Sequence, residues 1–339
     1  MKRIGLMGCG IVAGYGHLPA LRNSNVWELH AIFEPDPVRR AAAQEKFSVP
    51  HTFDELDAFF GSGIDAVAVT SPAPCHLENV HAAARHGKPV LCEKPLAMTE
   101  DEAREMIAAM HDAGLPLFTG FTYRFGSEAL QIKQLLDQGA IGVLRTLRFV
   151  YIWNCHGRYE LDANGNRIEQ RRREDRMLEG GPMVDCGVHD IDLARWWTGS
   201  EIVRFHGMGS WVQDYEAPDH VWVHMDHANG AHTMAELSYS YCHTAKEPVH
   251  RYIYDVIGTD GVIRYDGITG ELELRSAEGT RTFEVERGKN FGALYDAFAR
   301  AIETGDPGNL ATAEDGLIAT RIARKATEDI IAARLDNAQ

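Results

Sequence analysis

Apolar and polar positions divide the chain into two textures. Over the first third, short unbroken apolar runs alternate with segments of helical periodicity. Ile4 to Met7, "WELHAIFE", "IDAVAVT", "KPVLCEK" and "PLFTGFTYRF" read as strands. "HLENVHAAARHG" and "TEDEAREMIAAMHDAG" read as helices. The second of these opens on Thr99 followed by Asp101 and Glu102, and stops at Gly114. A side-chain oxygen suits the start of a helix, and glycine tolerates the left-handed conformation that ends one. Continuous apolar strands interleaved with helices predict a parallel sheet covered on both faces. The reading is a Rossmann-type α/β domain over residues 1–121.

From "TLRFVYIWN" onward apolar and polar residues alternate one by one, through "EIVRFHGMGSWV", "DHVWVHMDHANG", "AHTMAELSYSY", "HRYIYDVIGT", "GVIRYDG", "GELELRSAEG" and "TRTFEVE". Period two with glycine turns predicts a large, mostly antiparallel open sheet with one face solvated or covered by a partner. Two amphipathic helices over about 291–335 close the chain, so residues 122–339 are expected to form a second, α+β domain. No internal repeat or low-complexity linker interrupts it.

Composition narrows the function classes. The 339 residues carry a formal charge of −15, which disfavours nucleic acid and anionic membrane as partners. Arg171, Arg172 and Arg173 form a local basic cluster, flanked by acids and read as an exposed loop or hairpin face. Six scattered cysteines without a C-x-x-C pair suit reduced thiols in a cytoplasmic protein, and no zinc spacing is present. No secretory segment or membrane-length apolar run is seen.

The candidate chemistry begins after the first strand. Gly8, Gly10 and Ala13 stand in G-x-G-x-x-A spacing: a tight turn, a close backbone approach and a small residue for helix–strand packing. A pyrophosphate would lie against the N–H groups of the first helical turn, at Ile11, Val12 and Ala13. Glu34 ends the second strand about 20 residues on, where a carboxylate binds ribose hydroxyls and repels a 2′-phosphate, favouring NAD over NADP. Arg39 and Arg40 lie nearby on a helix face. "TSPAPCH" and "EKP" follow later strands, at the end of an open α/β sheet where ligands bind. There Lys94 either stabilises an alkoxide or pairs with Glu93 at the surface, and His76 either lines the cleft or starts a helix. In "GGPMVDCGVHDIDLARWW", Asp185 and His189 share a helical face after a Gly-Gly-Pro start. An acid–base pair suits alcohol oxidation, which must shed a proton as well as a hydride. Asp192 reads as structural, and a metal site lacks further ligands at a recognised spacing.

Taken in order, "GCGIVA", "TSPAPCHLE", "GKPVLCEKPLA", "YRF" and "GGPMVDCGVHDID" resemble the Gfo/Idh/MocA family of sugar and polyol oxidoreductases over almost the whole chain. The resemblance implies Lys94, Asp185 and His189 as a catalytic triad, and Gly8, Gly10, Ala13, Glu34, Thr70, Ser71, Glu93 and Lys94 as part of the dinucleotide site. It implies an NAD(H)-dependent dehydrogenase or reductase for a sugar, inositol or related polyol, assembled as a homodimer or homotetramer through the open sheet. Some family members use transient oxidation to cleave glycosides, and a non-catalytic dinucleotide sensor is a third possibility. Tyr123, Arg124, His156, Arg158 and Tyr159 are candidate substrate contacts. The chain departs from the family at Thr122, where asparagine is frequent, and at Glu179 and Pro182. The "NGN" turn within residues 154–177 suggests a hairpin-like excursion.

Overall fold

The computed structural model describes residues 1–153, 159–161, 166–169, 171–241, 245–247 and 249–336. Two compact units emerge: Met1–Phe125 with Lys289–Thr320, and Gly126–Gly288 with Arg321–Gln339.

The first unit alternates strands and helices as the apolar pattern predicts. In chain order it holds β1 (Lys2–Met7), α1 (Leu18–Arg22), β2 (Trp27–Phe33), α2 (Pro37–Phe47), β3 (His51–Phe53), α3 (Leu56–Phe60), β4 (Ala66–Val69), α4 (His76–Arg85), β5 (Val90–Cys92), α5 (Glu100–Asp112) and β6 (Leu117–Thr119). Six strands pair in parallel in the order β3-β2-β1-β4-β5-β6, which reverses direction between β1 and β4. All four residues of β4 are buried, as a strand covered on both faces requires. Alternate residues feed separate cores: Ile4, Leu6, Ala66 and Ala68 on one face, Met7, Val67 and Val69 on the other. Thr99 caps α5 in a reciprocal box with Glu102, the device its sequence announces.

The second unit opens with α6 (Ser127–Asp137) and β7 (Leu144–Ile152), followed by β8 (Tyr159–Leu161), β9 (Arg167–Glu169), α7 (Arg171–Leu178) and α8 (Val188–Thr198). Then come β10 (Ile202–Ser210), β11 (His220–His227), β12 (His232–Ser238), β13 (Arg251–Gly258), β14 (Gly261–Asp266), β15 (Glu271–Ser276) and β16 (Gly279–Phe283). Eight strands form one sheet in the order β10-β11-β12-β7-β13-β14-β15-β16, antiparallel except between β12 and β7. The face packed by α8 is apolar: Trp197 stacks on Phe149 at 5.6 Å and meets Tyr254 edge-on at 5.3 Å. β8 and β9 pair antiparallel, as the expected hairpin requires, and the Asn164-Gly165 part of its turn lies outside the described residues. Arg171, Arg172 and Arg173 begin α7 instead of a loop or hairpin face; "RRREDRML" is rich in good helix formers.

The chain then returns to the first unit through α9 (Phe291–Thr304), β17 (Ala311–Thr312) and the start of α10 (Ala313–Asp336). The linear division expected after residue 121 therefore needs correction, because the closing helices are not one block of the second domain. Trp27 stacks on Phe298 with ring centroids 5.5 Å apart and donates from Nε1 to the Tyr295 carbonyl at 2.8 Å, while β17 pairs antiparallel with β6. Periodicity marks the apolar stripe of α9 but does not say which sheet it covers. Among the described residues, no helix is long and apolar enough to cross a membrane.

Candidate functional site

The strand order reverses between β1 and β4, the point at whose carboxyl ends open α/β sheets bind ligands, and the glycine turn lies there. Gly8 has φ +94°, and a Cβ on it would come within 2.6 Å of the Ser71 Cα, so the turn after β1 admits only glycine. Thr70 fixes the two loops by donating from Oγ1 to the carbonyls of Met7 and Gly8, at 3.1 and 2.7 Å. Asn79 donates to the Ser71 hydroxyl at 2.8 Å. Gly10 differs from Gly8: a Cβ there would meet no heavy atom within 4 Å. That open space fits the close approach of a pyrophosphate to the first turn of the helix, where Ile11 is exposed, Val12 half-buried and Ala13 buried. Residues Ala13–His17 then widen into a π-helical segment before α1.

Glu34 is buried, and its carboxylate closes onto this turn. Oε2 accepts the Cys9 N–H at 2.7 Å and Oε1 the Asp36 N–H at 3.1 Å. Burial, with the Glu34 charge second, pushes the Cys9 thiol up to about 12, so it stays protonated. Arg40 is committed elsewhere: Nη1 donates to the Glu34 carbonyl at 2.6 Å, and Nη2 pairs with Asp54 at 2.8 Å. Arg39 is exposed and 3.9 Å from Asp36.

At the carboxyl end of β5, Glu93 is buried and Lys94 half-buried. Glu93 Oε2 accepts the Lys94 main-chain N–H at 3.1 Å, and Oε1 lies 2.9 Å from Nε2 of His17. Burial raises the Glu93 carboxyl, but the His17 hydrogen bond, with the charges of Lys94 and Lys289, holds it below the usual carboxylate range. His76 begins α4, one of the two readings its position allowed. It is buried, with Nε2 at 3.0 Å from the Ser71 carbonyl and Nδ1 at 3.1 Å from those of Pro95 and Leu96. It therefore ties the loop after β4 to the loop after β5, and burial lowers its pKa against those hydrogen bonds.

In the second unit, Gly181 and Pro182 start the helical segment as expected, but Met183–Gly187 form a second π-helical turn before α8. π turns inside helices recur at functional sites. Asp185 and His189 are both buried. Asp185 accepts from Arg176 Nη1 at Oδ1 and from the Tyr239 hydroxyl, 2.7 Å away, at Oδ2. Burial opposes the Arg176 charge, yet Asp185 raises its pKa overall, so the pair is ionic. Asp192 is fully buried in α8, and Arg195 forks onto Glu201 at 2.6 and 2.9 Å.

The proposed substrate contacts separate. Tyr123 carries Lys289 over its ring at 5.3 Å. Arg124 is buried and pairs with Asp315 at 3.2 Å. His156 and Arg158 lie outside the described residues, and Tyr159 is placed only as a backbone position of β8. Sequence reasoning missed His17, Asn79, Arg176, Tyr239 and Asp190. Asp190 is buried, and desolvation pushes its carboxyl to about 8. None of these five stands in a spacing that announces chemistry; each acquires its neighbours through tertiary structure.

Residues 2–121 match an oxidoreductase family with an NAD-binding Rossmann fold, and residues 129–264 match the GFO/IDH/MocA C-terminal domain. The chain is 28% identical to the D-apiose dehydrogenase of Paraburkholderia graminis, over 82% of this chain and 70% of that protein. It is 33% identical to the inositol 2-dehydrogenase 2 of Saccharopolyspora erythraea, over 59% of this chain and 55% of that one. An oxidoreductase from Agrobacterium radiobacter, solved in complex with NAD+, L-tartaric acid and magnesium, has the same fold. Its TM-score is 0.82 at 21% identity, covering 98% of this chain and 96% of that one.

Proposed function

We propose that this chain, which belongs to the Gfo/Idh/MocA oxidoreductase family, transfers a hydride between NAD(H) and a secondary hydroxyl or carbonyl of a sugar, inositol or related polyol. The observation that carries the reading is the fixing of Lys94 by Glu93 at the carboxyl end of β5, in the same unit as the Gly8–Gly10 turn. A lysine anchored at that end of an open α/β sheet stands where ligands bind.

The Gly8–Ala13 turn and Glu34 would hold the dinucleotide, which when bound would supply the acceptor or donor of the hydride exchanged with the substrate carbon. Lys94 stabilises the negative charge that develops on the substrate oxygen as its proton leaves. His189 accepts that proton during oxidation and returns it during reduction. Asp185, kept ionised by Arg176, supplies a fixed acceptor for a neighbouring hydroxyl or for the imidazole. NAD is favoured over NADP because the Glu34 carboxylate would face a 2′-phosphate, while Arg40 already spends its donors on carbonyls and Asp54.

The substrate class rests on the names of the relatives, a D-apiose dehydrogenase and an inositol dehydrogenase. Among the described residues Cys9, Cys75 and Cys92 form no disulfide, which supports a cytoplasmic setting. The sheet face turned away from α8 carries Trp222, Met234 and Ile253, each half-buried in the single chain, which supports pairing with a second copy as a homodimer or homotetramer.

The test is a panel of sugars and polyols incubated with NAD, following NADH and product together. One NADH per oxidised product supports the reading. Bond cleavage without NADH accumulation replaces it with redox-neutral elimination, and dinucleotide binding without turnover of any member replaces it with a sensor.

A further inference from the structure

Glu93 is held on both carboxylate oxygens, and the two donors come from different parts of the first unit. The Lys94 main chain serves Oε2. His17, from the π-helical segment that follows the glycine turn, serves Oε1. On the other side of the imidazole, Nδ1 lies 2.8 Å from the Tyr295 hydroxyl on α9. One tautomer satisfies the whole chain of contacts: Tyr295 donates to Nδ1, and Nε2–H donates to Glu93. Phe291 packs edge-on against the imidazole at 4.7 Å and restricts its rotation.

The protonation states agree with this geometry. Burial, then the Glu93 charge, push the Tyr295 hydroxyl well above its ordinary value, so it remains a donor. His17, Lys94, Lys289, Tyr295, His76 and Cys92 are the titratable groups that face the Glu93 carboxylate. His17 itself is 1% exposed and cannot touch a substrate.

We propose that His17 is a positioning residue: it anchors Glu93, and through Glu93 it fixes the main chain at Lys94, with Tyr295 setting its tautomer. The helix that begins at the glycine turn is thereby keyed to the strand end that presents the lysine. Movement of that helix displaces the donor on which Glu93 depends. This rests on the reading of Lys94 given above.

Amide hydrogen exchange at Lys94 reads the anchoring without any substrate. Pro95 has no amide, and the Glu93 amide is held separately by Val69, so the Lys94 signal is isolated. In full-length His17→Phe, Lys94 amide exchange is expected to quicken about tenfold, the loss of a charge-assisted hydrogen bond. The amides of Leu91 and Cys92 in β5 keep their protection. His17→Gln, which retains an N–H donor, restores slow exchange at Lys94. With a substrate from the panel, His17→Phe lowers kcat about tenfold while the NADH Kd stays within about threefold. Unchanged Lys94 exchange in a folded His17→Phe protein overturns the proposal, as does equal loss of protection along β5. Should His17→Phe fail to fold, Tyr295→Phe decides, with faster Lys94 exchange for the proposal and unchanged exchange against it. Full turnover in Lys94→Ala would sink the catalytic reading of the lysine but leave the exchange result standing, so the two failures are separable.

Discussion

Arg176 donates from Nη1 to Oδ1 of Asp185, binding α7 to the π-helical turn that leads into His189. Tyr239 from the turn after β12 closes the other carboxylate oxygen. A buried acid held this way keeps its charge only while its partner is present. Arg176→Ala is expected to destabilise the protein by about 3–5 kcal/mol, the cost of stranding a buried charge. Adding Asp185→Ala to that variant should recover a large part of the loss. Urea denaturation checks both, and a single-variant loss below about 1 kcal/mol would show that the pair contributes no more than a surface bridge.

Gly10 separates cofactor binding from folding. Its missing Cβ would meet nothing in the protein, whereas that of Gly8 would strike Ser71. Gly10→Ala should therefore keep its stability within about 0.5 kcal/mol, as substitutions away from packed features do. NADH affinity should fall about tenfold or more, because the methyl group occupies the path of the pyrophosphate. Thermal melts and fluorescence titration check the two halves. An unchanged NADH Kd would mean that the dinucleotide does not approach Gly10.

Much of this was legible because the relevant physics is local. The strand–glycine–helix order, the Thr99 capping box and the alternation of β10 to β16 are short-range patterns, and each appears where the sequence placed it. The roles of His76 and Arg124 were not legible. A histidine or arginine at a strand end has the same sequence signature whether it faces a ligand or ties loops together. The carbonyls around His76 and the Asp315 carboxylate beside Arg124 are tertiary partners that no local pattern announces. The linear domain boundary missed the return of α9 for a related reason. An amphipathic stripe specifies that something is covered, and the match of Phe298 to Trp27 specifies what. The ion pair at Asp185 joins α7 to a π turn, and no sequence periodicity places those two together.

Glu34 is expected to set cofactor choice. Glu34→Gln removes the negative charge and keeps one of the two oxygens that accept the Cys9 and Asp36 N–H groups. The NADPH-to-NADH affinity ratio should rise about tenfold, roughly one lost repulsive charge contact. The same variant is expected to lose about 1–3 kcal/mol of stability, because one of the two N–H groups then faces an amide NH2 that cannot accept. Parallel fluorescence titrations with the two cofactors check it, and an unchanged ratio would remove Glu34 from the selection of NAD.

His189→Ala should lower kcat by about 10²–10⁴, the usual contribution of a positioned general base, while NADH binding stays within about threefold. The comparison is meaningful because His189 lies in α8, in the second unit, whereas the glycine turn lies in the first. Steady-state kinetics with the best substrate of the panel, alongside NADH titration, separates the two effects. Turnover equal to that of the unsubstituted protein would remove the proton-acceptor role.

Asp190 gives the stability a distinctive pH dependence. Its carboxyl is buried, and desolvation alone raises its pKa to about 8 in the folded state, against an unfolded value of 3.8. Between those two values the folded protein binds a proton that the unfolded chain releases. Stability then falls as pH rises, because each step upward favours the state that binds fewer protons. The contribution is constant below pH 3.8, declines through the neutral range and levels off above about 8. The slope approaches about 1 kcal/mol per pH unit in the middle of that window. Glu128, pushed by burial to about 7, adds a second slope of the same sign. Asp190→Asn removes the first slope and keeps the size and polarity of the side chain. Its melting temperature should therefore match the unsubstituted protein near pH 5 less closely than it does near pH 4, and exceed it by a growing margin toward pH 8. Melting curves of both proteins across that range check the sign, and parallel curves would show that Asp190 is ionised in the folded state.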